Sequence, residues 1–265
     1  FCLVFCMSAC SQNHKVASLN LWSWGDDINS RTDLLANHFA EDQDLQGTSI
    51  LLLQEVLQVD PTGASTADLL AKKLEWNCYF QKREGDNEGL AILYDPQLKV
   101  FAKDFLHLRN RYDEKDYHRI ALSIQFEIPK LGKLRVINVH LAHEAYMSQT
   151  RIAQIDEILE WKKQLEQKSA SDFVVIGGDF NTDPANDSYA REFDLLTKGT
   201  DNFQSTQLEG ADFSWMDFDS LQKEMVDFFF VSKKASQVPQ RLRSTVLEFP
   251  TRERLSDHNL VLLWL

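Results

Sequence analysis

Acids, amides and histidines gather in this chain where apolar runs end or begin. Ile50-Leu51-Leu52-Leu53 runs into Gln54-Glu55, Lys133 to His140 (KLRVINVH) ends on His140, and Phe173 to Ile176 leads through Gly177-Gly178 to Asp179 and Asn181. Asp227 opens the run Phe228-Phe229-Phe230-Val231, and Asp257-His258 precedes the C-terminal run NLVLLWL. Asn20 lies within the first apolar stretch. A carboxylate beside such a strand is costly to bury unless it is paired, and few lysines or arginines lie close in sequence. A hard divalent cation is a natural solution: Mg²⁺ takes one or two carboxylates and keeps water and phosphate as its other ligands. Asp179 and Asn181, two apart, share a face of an extended strand and could hold an attacking water and a phosphoryl oxygen. His258 can take a proton from water near neutral pH, provided a carboxylate orients its other nitrogen. Asp227, in Met225-Val226-Asp227-Phe228, fits that part by its neighbours. Taken singly, each acid reads equally well as a solvated turn residue and His258 as a structural histidine. Five strand ends carrying such groups together point to metal-assisted hydrolysis.

These groups need sheets to hold them. Val16 to Trp22 alternates as a first strand, and the unbroken run before Gln54-Glu55 predicts a strand buried on both faces. Ser30 and Asp33 resemble a capping pair ahead of Leu34, Leu35, His38 and Phe39 at helical spacing. Asp68 to Leu74 predicts a short helix, Cys78 to Lys82 and Leu90 to Tyr94 two strands, and Ile120 to Ile128 with Lys133 to His140 a hairpin. Gln149 to Gln167 carries the clearest helical stripe: Ile152, Ile155, Ile158, Leu159 and Leu165. Phe173 to Ile176, Val226 to Val231 and Leu260 to Leu265 complete the strands. Strands outnumber helices and several are apolar on both faces, which predicts two stacked sheets with helices outside.

A chain of 265 residues with 43% hydrophobic and 26% charged residues can bury a substantial core. A net charge of −12 argues against tight binding to nucleic acid or anionic lipid through a basic surface. It does not exclude turnover of a phosphodiester, because bound cations reverse the sign of an acidic site. Arg109-Asn110-Arg111 and Arg241-Leu242-Arg243 are sparse and mixed with acids. Cys2, Cys6 and Cys10 fall in the first ten residues, leaving Cys78 as a small apolar body residue. Residues 1–10 (FCLVFCMSAC) read as the end of an export signal. Met7-Ser8-Ala9-Cys10 resembles a bacterial lipobox, with Met7 in place of the usual Leu and no basic segment before it. An ordinary secretion signal and a buried first strand are the alternatives. Residues 1–15 are therefore assigned as signal remnant and tether, with Cys10 the lipidated residue. The protein is expected to be exported, as a bacterial cell-envelope lipoprotein or a periplasmic or secreted monomer.

Asn20, Gln54-Glu55, Asn138-Val139-His140, Gly178-Asp179-Phe180-Asn181, Val226-Asp227 and Ser256-Asp257-His258 occur in the order seen in the endonuclease/exonuclease/phosphatase superfamily. That group includes pancreatic-type deoxyribonuclease, abasic-site endonucleases, neutral sphingomyelinases, inositol-phosphate 5-phosphatases and deadenylases. The resemblance runs through residues 16–265. It implies an α/β fold, a four-layer α/β/β/α sandwich of two packed mixed β-sheets flanked by helices. It also implies a Mg²⁺-dependent phosphodiester hydrolase, with Mn²⁺ as the alternative ion. Glu55 would be the main metal ligand, with Asn20 and Asp257 nearby. Asp179 and Asn181 would align water and phosphate, and His258, held by Asp227, would be the base. His140 would bind the phosphate or protonate the leaving oxygen. Glu88, in Glu88-Gly89-Leu90-Ala91-Ile92-Leu93-Tyr94, resembles the residue that supports the first catalytic histidine in the pancreatic-type nucleases. Arg119 would contact a phosphate or, as a strand-start arginine, simply be solvated; His118 and His143 match no role. The substrate stays open among nucleic acid, a phospholipid head group and a small phosphodiester or inositol phosphate. Trp22-Ser23-Trp24 could line the cleft or face a bilayer. A non-catalytic or structural envelope lipoprotein that keeps the fold is the alternative from another class.

Overall fold

The computed structural model describes residues 14–23, 25, 27–111, 113, 118–185, 190–199, 203–232, 243–249 and 255–265. Cys10 and the rest of the expected signal remnant up to residue 13, Trp24, Arg241 and Leu242 lie outside these. The chain runs β1 (Lys15–Asn20), α1 (Ile28–Glu41), β2 (Thr48–Leu57), α2 (Thr66–Leu74), β3 (Asn77–Lys82), β4 (Glu88–Tyr94), β5 (Lys99–His107), β6 (Ile120–Ile128) and β7 (Gly132–His140). It continues through α3 (Ser148–Lys168), β8 (Phe173–Asp179), α4 (Ala190–Thr197), β9 (Gln204–Ser205), β10 (Gln207–Gly210), β11 (Trp215–Met216), β12 (Lys223–Glu224), β13 (Asp227–Val231), β14 (Arg243–Leu247) and β15 (Leu260–Trp264).

One large sheet has seven strands in the order β10-β14-β15-β1-β2-β4-β3, the other large sheet six, β5-β6-β7-β8-β13-β9, with β11 and β12 paired separately. Both are mixed: β1–β2 and β7–β8 are parallel, whereas β1–β15 and β8–β13 are antiparallel. Strand alternation sorts the core into three layers. Val16, Ile50 and Leu52 share a cluster with Val136, Val175 and Phe229 from the other sheet. Their chain neighbours face the other way: Ala17, Leu51 and Leu53 meet Leu35 and Phe39 of α1 and Leu70 of α2. Ile137, Val139 and Ile176 meet Ile155 and Ile158 of α3 and Leu196 of α4. Three apolar interfaces make four layers, helix on sheet on sheet on helix, as expected.

Several element ends differ from the sequence reading. The cap of α1 is Asp27, whose carboxylate accepts from Ser30 N, rather than Ser30 itself. The capping box sits instead at Ser65 and Asp68 of α2. The strand at Phe173 continues through both glycines to Asp179. β5 alternates exposed and half-buried residues at the edge of its sheet, a pattern with too few buried apolar residues to stand out. Among the described residues no helix is long and apolar enough to cross a membrane.

Candidate active site

The inter-sheet faces of the central strands change character toward one end. Along β1 the face reads Val16, Ser18, Asn20; along β2, Leu52 then Gln54; along β7, Val136, Asn138, His140; along β8, Val175, Gly177, Asp179. The antiparallel β13 supplies Val231, Phe229 and Asp227 in the reverse sense. The apolar core thus grades through a buried amide layer into a mouth of ionisable groups. Register brings these together: His140 lies opposite Asp179 on β7–β8, and Asp179 opposite Asp227 on β8–β13.

Glu55 reaches the mouth by a break in regularity. Leu53 pairs with Ala91 and Val56 with Gly89, so Gln54 and Glu55 together oppose Leu90 in a bulge. Glu55 adopts a left-handed conformation at φ 52°. Its Oε1 accepts from Asn20 Nδ2 at 3.1 Å, and its Oε2 from Ser23 N at 2.8 Å and Ser23 Oγ at 2.9 Å. Asn20 Nδ2 also donates to Asp179 Oδ2 at 3.1 Å, while Asn20 Oδ1 accepts from Trp22 N. Two carboxylates on one amide nitrogen fix which way that side chain is turned.

Asp227 Oδ2 lies 2.8 Å from His258 Nδ1. An ionised carboxylate only accepts, so Nδ1 carries the proton and Nε2 faces the cleft. Nε2 is 3.7 Å from Asp179 Oδ2 and 4.0 Å from Asp257 Oδ1, and His140 Nε2 approaches the same Asp179 oxygen at 3.6 Å. Ser214 Oγ accepts from both Val226 N and Asp227 N, and Ser256 Oγ from His258 N, which anchors the pair from two sides. Trp215 Nε1 donates to Asp257 Oδ2 at 3.1 Å. Burial disfavours the His258 imidazolium, but Asp227, by charge and hydrogen bond, and then Asp179 and Asp257 outweigh it and carry the pKa up to about 10. Burial, then the Asp227 charge, raises Asp179 to about 7.

Asn181 arrives differently from the strand alternation expected for it. It lies beyond β8 at φ 50°; its N–H donates to Asp179 Oδ1 at 2.8 Å and its Nδ2 to Leu141 O. The glycines before it are spacers within the strand rather than a way out of it. A Cβ on Gly178 would stand 2.1 Å from Val139 O, and one on Gly177 2.4 Å from the Phe229 ring.

Arg83, Glu88, Arg119 and His140 line a small cavity on the far flank. Glu88 makes no hydrogen bond or ion pair with His140 among the described residues. Its Oε1 pairs with Arg83 at 3.0 Å and its Oε2 meets Ser23 Oγ at 2.9 Å, because the β3–β4 turn folds Arg83 onto it. Arg119 is buried rather than solvated, and its Nε has no partner among the described residues. Burial first, then Arg119 and Arg83, holds His140 well below the usual histidine range, which keeps it neutral. Sequence reading did not find Arg83, Ser214 or Trp215, and it placed Ser23 at the cleft only as part of Trp22-Ser23-Trp24. Arg83 had a usable signal, five residues before Glu88 across Gly85; a lone serine or tryptophan had none.

The donor set fits a hard divalent cation. Burial pushes Glu88 and Asp257 up, and the nearby charge of Glu55 adds to both. Oxygen ligands in such crowding gain from a cation. Atoms of Asp179, Asp227 and His258 also lie within 4.8 Å of one another, but the Asp227–His258 hydrogen bond already engages two of them.

The chain matches the Endonuclease/Exonuclease/phosphatase family over residues 17–258 and belongs to it. Its enzyme class is that of the phosphoric ester hydrolases. A comparison with curated proteins found no significant match. Among solved structures it is similar to an endonuclease/exonuclease/phosphatase from Bacteroides vulgatus (20% identity, TM-score 0.71, covering 94% of this chain and 97% of that one). It also resembles truncated TDP2 of Caenorhabditis elegans (19%, TM-score 0.69, 95% and 97%). A Staphylococcus aureus beta toxin aligns as well (16%, TM-score 0.71, 94% and 98%).

Proposed function

We propose that the protein hydrolyses a phosphodiester by in-line attack of water on phosphorus. The observation that carries this reading is the buried Asp227–His258 pair, whose Nε2 faces Asp179 with His140 on the same oxygen. His258 acts from its neutral form, which the charges of Asp179 and Asp257 disfavour in the metal-free protein and which a cation beside those acids would restore; Nε2 then takes the proton from water, and Asp227 holds Nδ1–H and stabilises the imidazolium that results. Asp179 and Asn181 orient the water and the phosphate. His140, kept neutral, and Arg119 donate to phosphoryl oxygens as charge gathers on them. Glu55 and Asp257 would hold a divalent cation, Mg²⁺ on this reading. Asn20 serves it by setting Glu55, its own oxygen being bonded to Trp22 N–H. When bound, that ion supplies Lewis-acid stabilisation of the phosphoryl oxygens and the leaving group. The new bond joins the water oxygen to phosphorus, the ester bond breaks opposite it, the leaving oxygen takes a proton from solvent as His258 returns its own, and no covalent enzyme intermediate forms.

The test is hydrolysis of bis-p-nitrophenyl phosphate with Mg²⁺, with and without EDTA, in wild type and His258→Ala. Turnover that needs the ion and is lost in the variant is expected. A folded variant turning over near the wild-type rate would sink the reading. Plasmid DNA, RNA, sphingomyelin and phosphorylated inositols under the same conditions separate the substrate classes.

A further inference from the structure

Gln54 and Asn138 belong to the motifs that carry the family resemblance, yet neither reaches the reacting groups. Both are fully buried between the sheets, one layer below the mouth. Asn138 Nδ2 donates to Leu53 O and to Ala91 O, each at 2.9 Å, and its Oδ1 accepts from Gln54 Nε2 at 2.7 Å. Gln54 Nε2 donates its second hydrogen to Ser18 Oγ at 3.2 Å. Leu53 and Ala91 are the last regular pair before the bulge that turns Glu55 out at φ 52°. Both carbonyls are therefore turned far enough toward the facing sheet to accept from a side chain on β7.

We infer that Asn138 is a positioning residue for the cation site: from the opposite sheet it locks the β2 bulge and thereby aims Glu55. Its three side-chain hydrogen bonds all go to the two residues before Glu55 and to the cross-strand partner of Leu53. The other flank is equally constrained, since a Cβ on Gly89, which pairs with Val56, would stand 2.0 Å from Gln81 O. A bulge held on both sides keeps a left-handed glutamate that an ordinary strand would relax. A buried polar knot can also serve stability alone, and the two roles differ in what they do to cation affinity. A bulge free to relax moves Glu55 off Asn20 and Ser23 and weakens the ion without removing a ligand.

This inference rests on the cation reading of Glu55, and the experiment separates the two. Mn²⁺ binding is titrated calorimetrically in wild type, Glu55→Gln, Asn138→Leu and Asn138→Ser, each checked as folded by circular dichroism well below its melting temperature. The expected result is loss of binding in Glu55→Gln and affinity roughly tenfold weaker in Asn138→Leu. Asn138→Ser, with one short donor, falls between. Wild type that binds no Mn²⁺, or Glu55→Gln that binds it fully, overturns the cation reading itself. Folded Asn138 variants that bind as wild type while Glu55→Gln does not overturn the positioning role alone. Hydrogen exchange of wild type with and without Mg²⁺ decides the matter if neither Asn138 variant folds. Added protection across residues 51–57 and 89–93, exceeding that across β6, supports the lock, and its absence overturns it.

Discussion

On the wall of the cleft built by the seven-stranded sheet, acids crowd one another: Glu55, Glu88 and Asp257 share a few hydroxyl, amide and indole donors and one arginine. On the wall built by the six-stranded sheet, Asp227 is matched one to one with His258, which reaches over from the neighbouring sheet. Burial acts on both walls with opposite results. It raises Glu88 and Asp257, leaving carboxylates that favour a proton or a cation. Across the cleft, the Asp227 charge overcomes burial and holds a proton on His258. On the cation reading one wall is unfinished, and on the other only the Asp227–His258 pair is finished by its own side chains, because burial and the Asp227 charge raise Asp179 as well. A hydrolytic site needs that asymmetry, because charge must be stabilised on one side of phosphorus while a proton leaves on the other.

Asp227→Asn strikes the finished wall and should have the largest effect. The shape is kept, but the carboxylate that fixes the Nδ1 proton and supports the imidazolium is gone, so kcat should fall by about 10³–10⁴-fold. Calorimetric Mn²⁺ affinity should change little, since the acids of the other wall are untouched. Loss of ion binding with kcat preserved would invert the assignment of the walls. The metal-free protein adds a second check. His258 is raised from 6.5 to about 10 when folded, so its stabilisation is complete below pH 6.5 and lost as pH rises through about 10. Wild type in EDTA should therefore lose melting temperature between pH 7 and 10, and Asp227→Asn should flatten that slope.

Gly178→Ala tests the seam between β7 and β8 that sets His140 beside Asp179. At φ 137°, with Val139 O 2.1 Å from the new Cβ, the strands must part. Urea unfolding should show a loss of about 2–4 kcal/mol. A stability within experimental error of wild type would mean that the seam has slack.

Asp257→Asn probes the unfinished wall, and its sign is opposite. The folded state holds the Asp257 proton more tightly than the unfolded chain, so ionising it at neutral pH costs stability. Removing the charge should raise the melting temperature in EDTA by roughly 2–4 °C and shrink the further rise produced by Mg²⁺. A fall in EDTA would show that the acids of this wall are satisfied without an ion.

The sequence was legible where alternation and motif order agree. β1, β2, β7 and β8 each carry the expected polar residue on the inter-sheet face at the expected end, and the three-layered core follows from the same period of two. The departures have local causes. Glu55 and Asn181 sit at left-handed φ, which no two-residue period encodes, so their aim is set by a bulge and by a side chain–backbone turn. Arg83 and Arg119 stand 36 positions apart, and only the stacking of β4 on β6 brings them to one cavity. The expected scarcity of cations near the acids was true of the chain and false of the fold.

Ser23→Ala should give the smallest effect and the finest reading of the acid wall. The hydroxyl lies 2.9 Å from both Glu55 Oε2 and Glu88 Oε2 but has one proton to give. One contact must therefore be a donation from Ser23, and the other needs a proton on the glutamate. Glu88, raised by burial, is the acid that fits. The backbone N–H of Ser23 still holds Glu55 in the variant, so Mn²⁺ affinity should weaken only a few-fold, with kcat nearly unchanged at saturating ion. The pH at which ion binding sets in is the sharper observable. With the hydroxyl link cut, only the charge of Glu55 still acts on Glu88, and the dependence of the onset on Glu88→Gln should shrink. An onset that moves as far with Glu88→Gln in the Ser23→Ala background as in wild type would show that charge through space carries the whole coupling and that the hydrogen-bonded chain carries none.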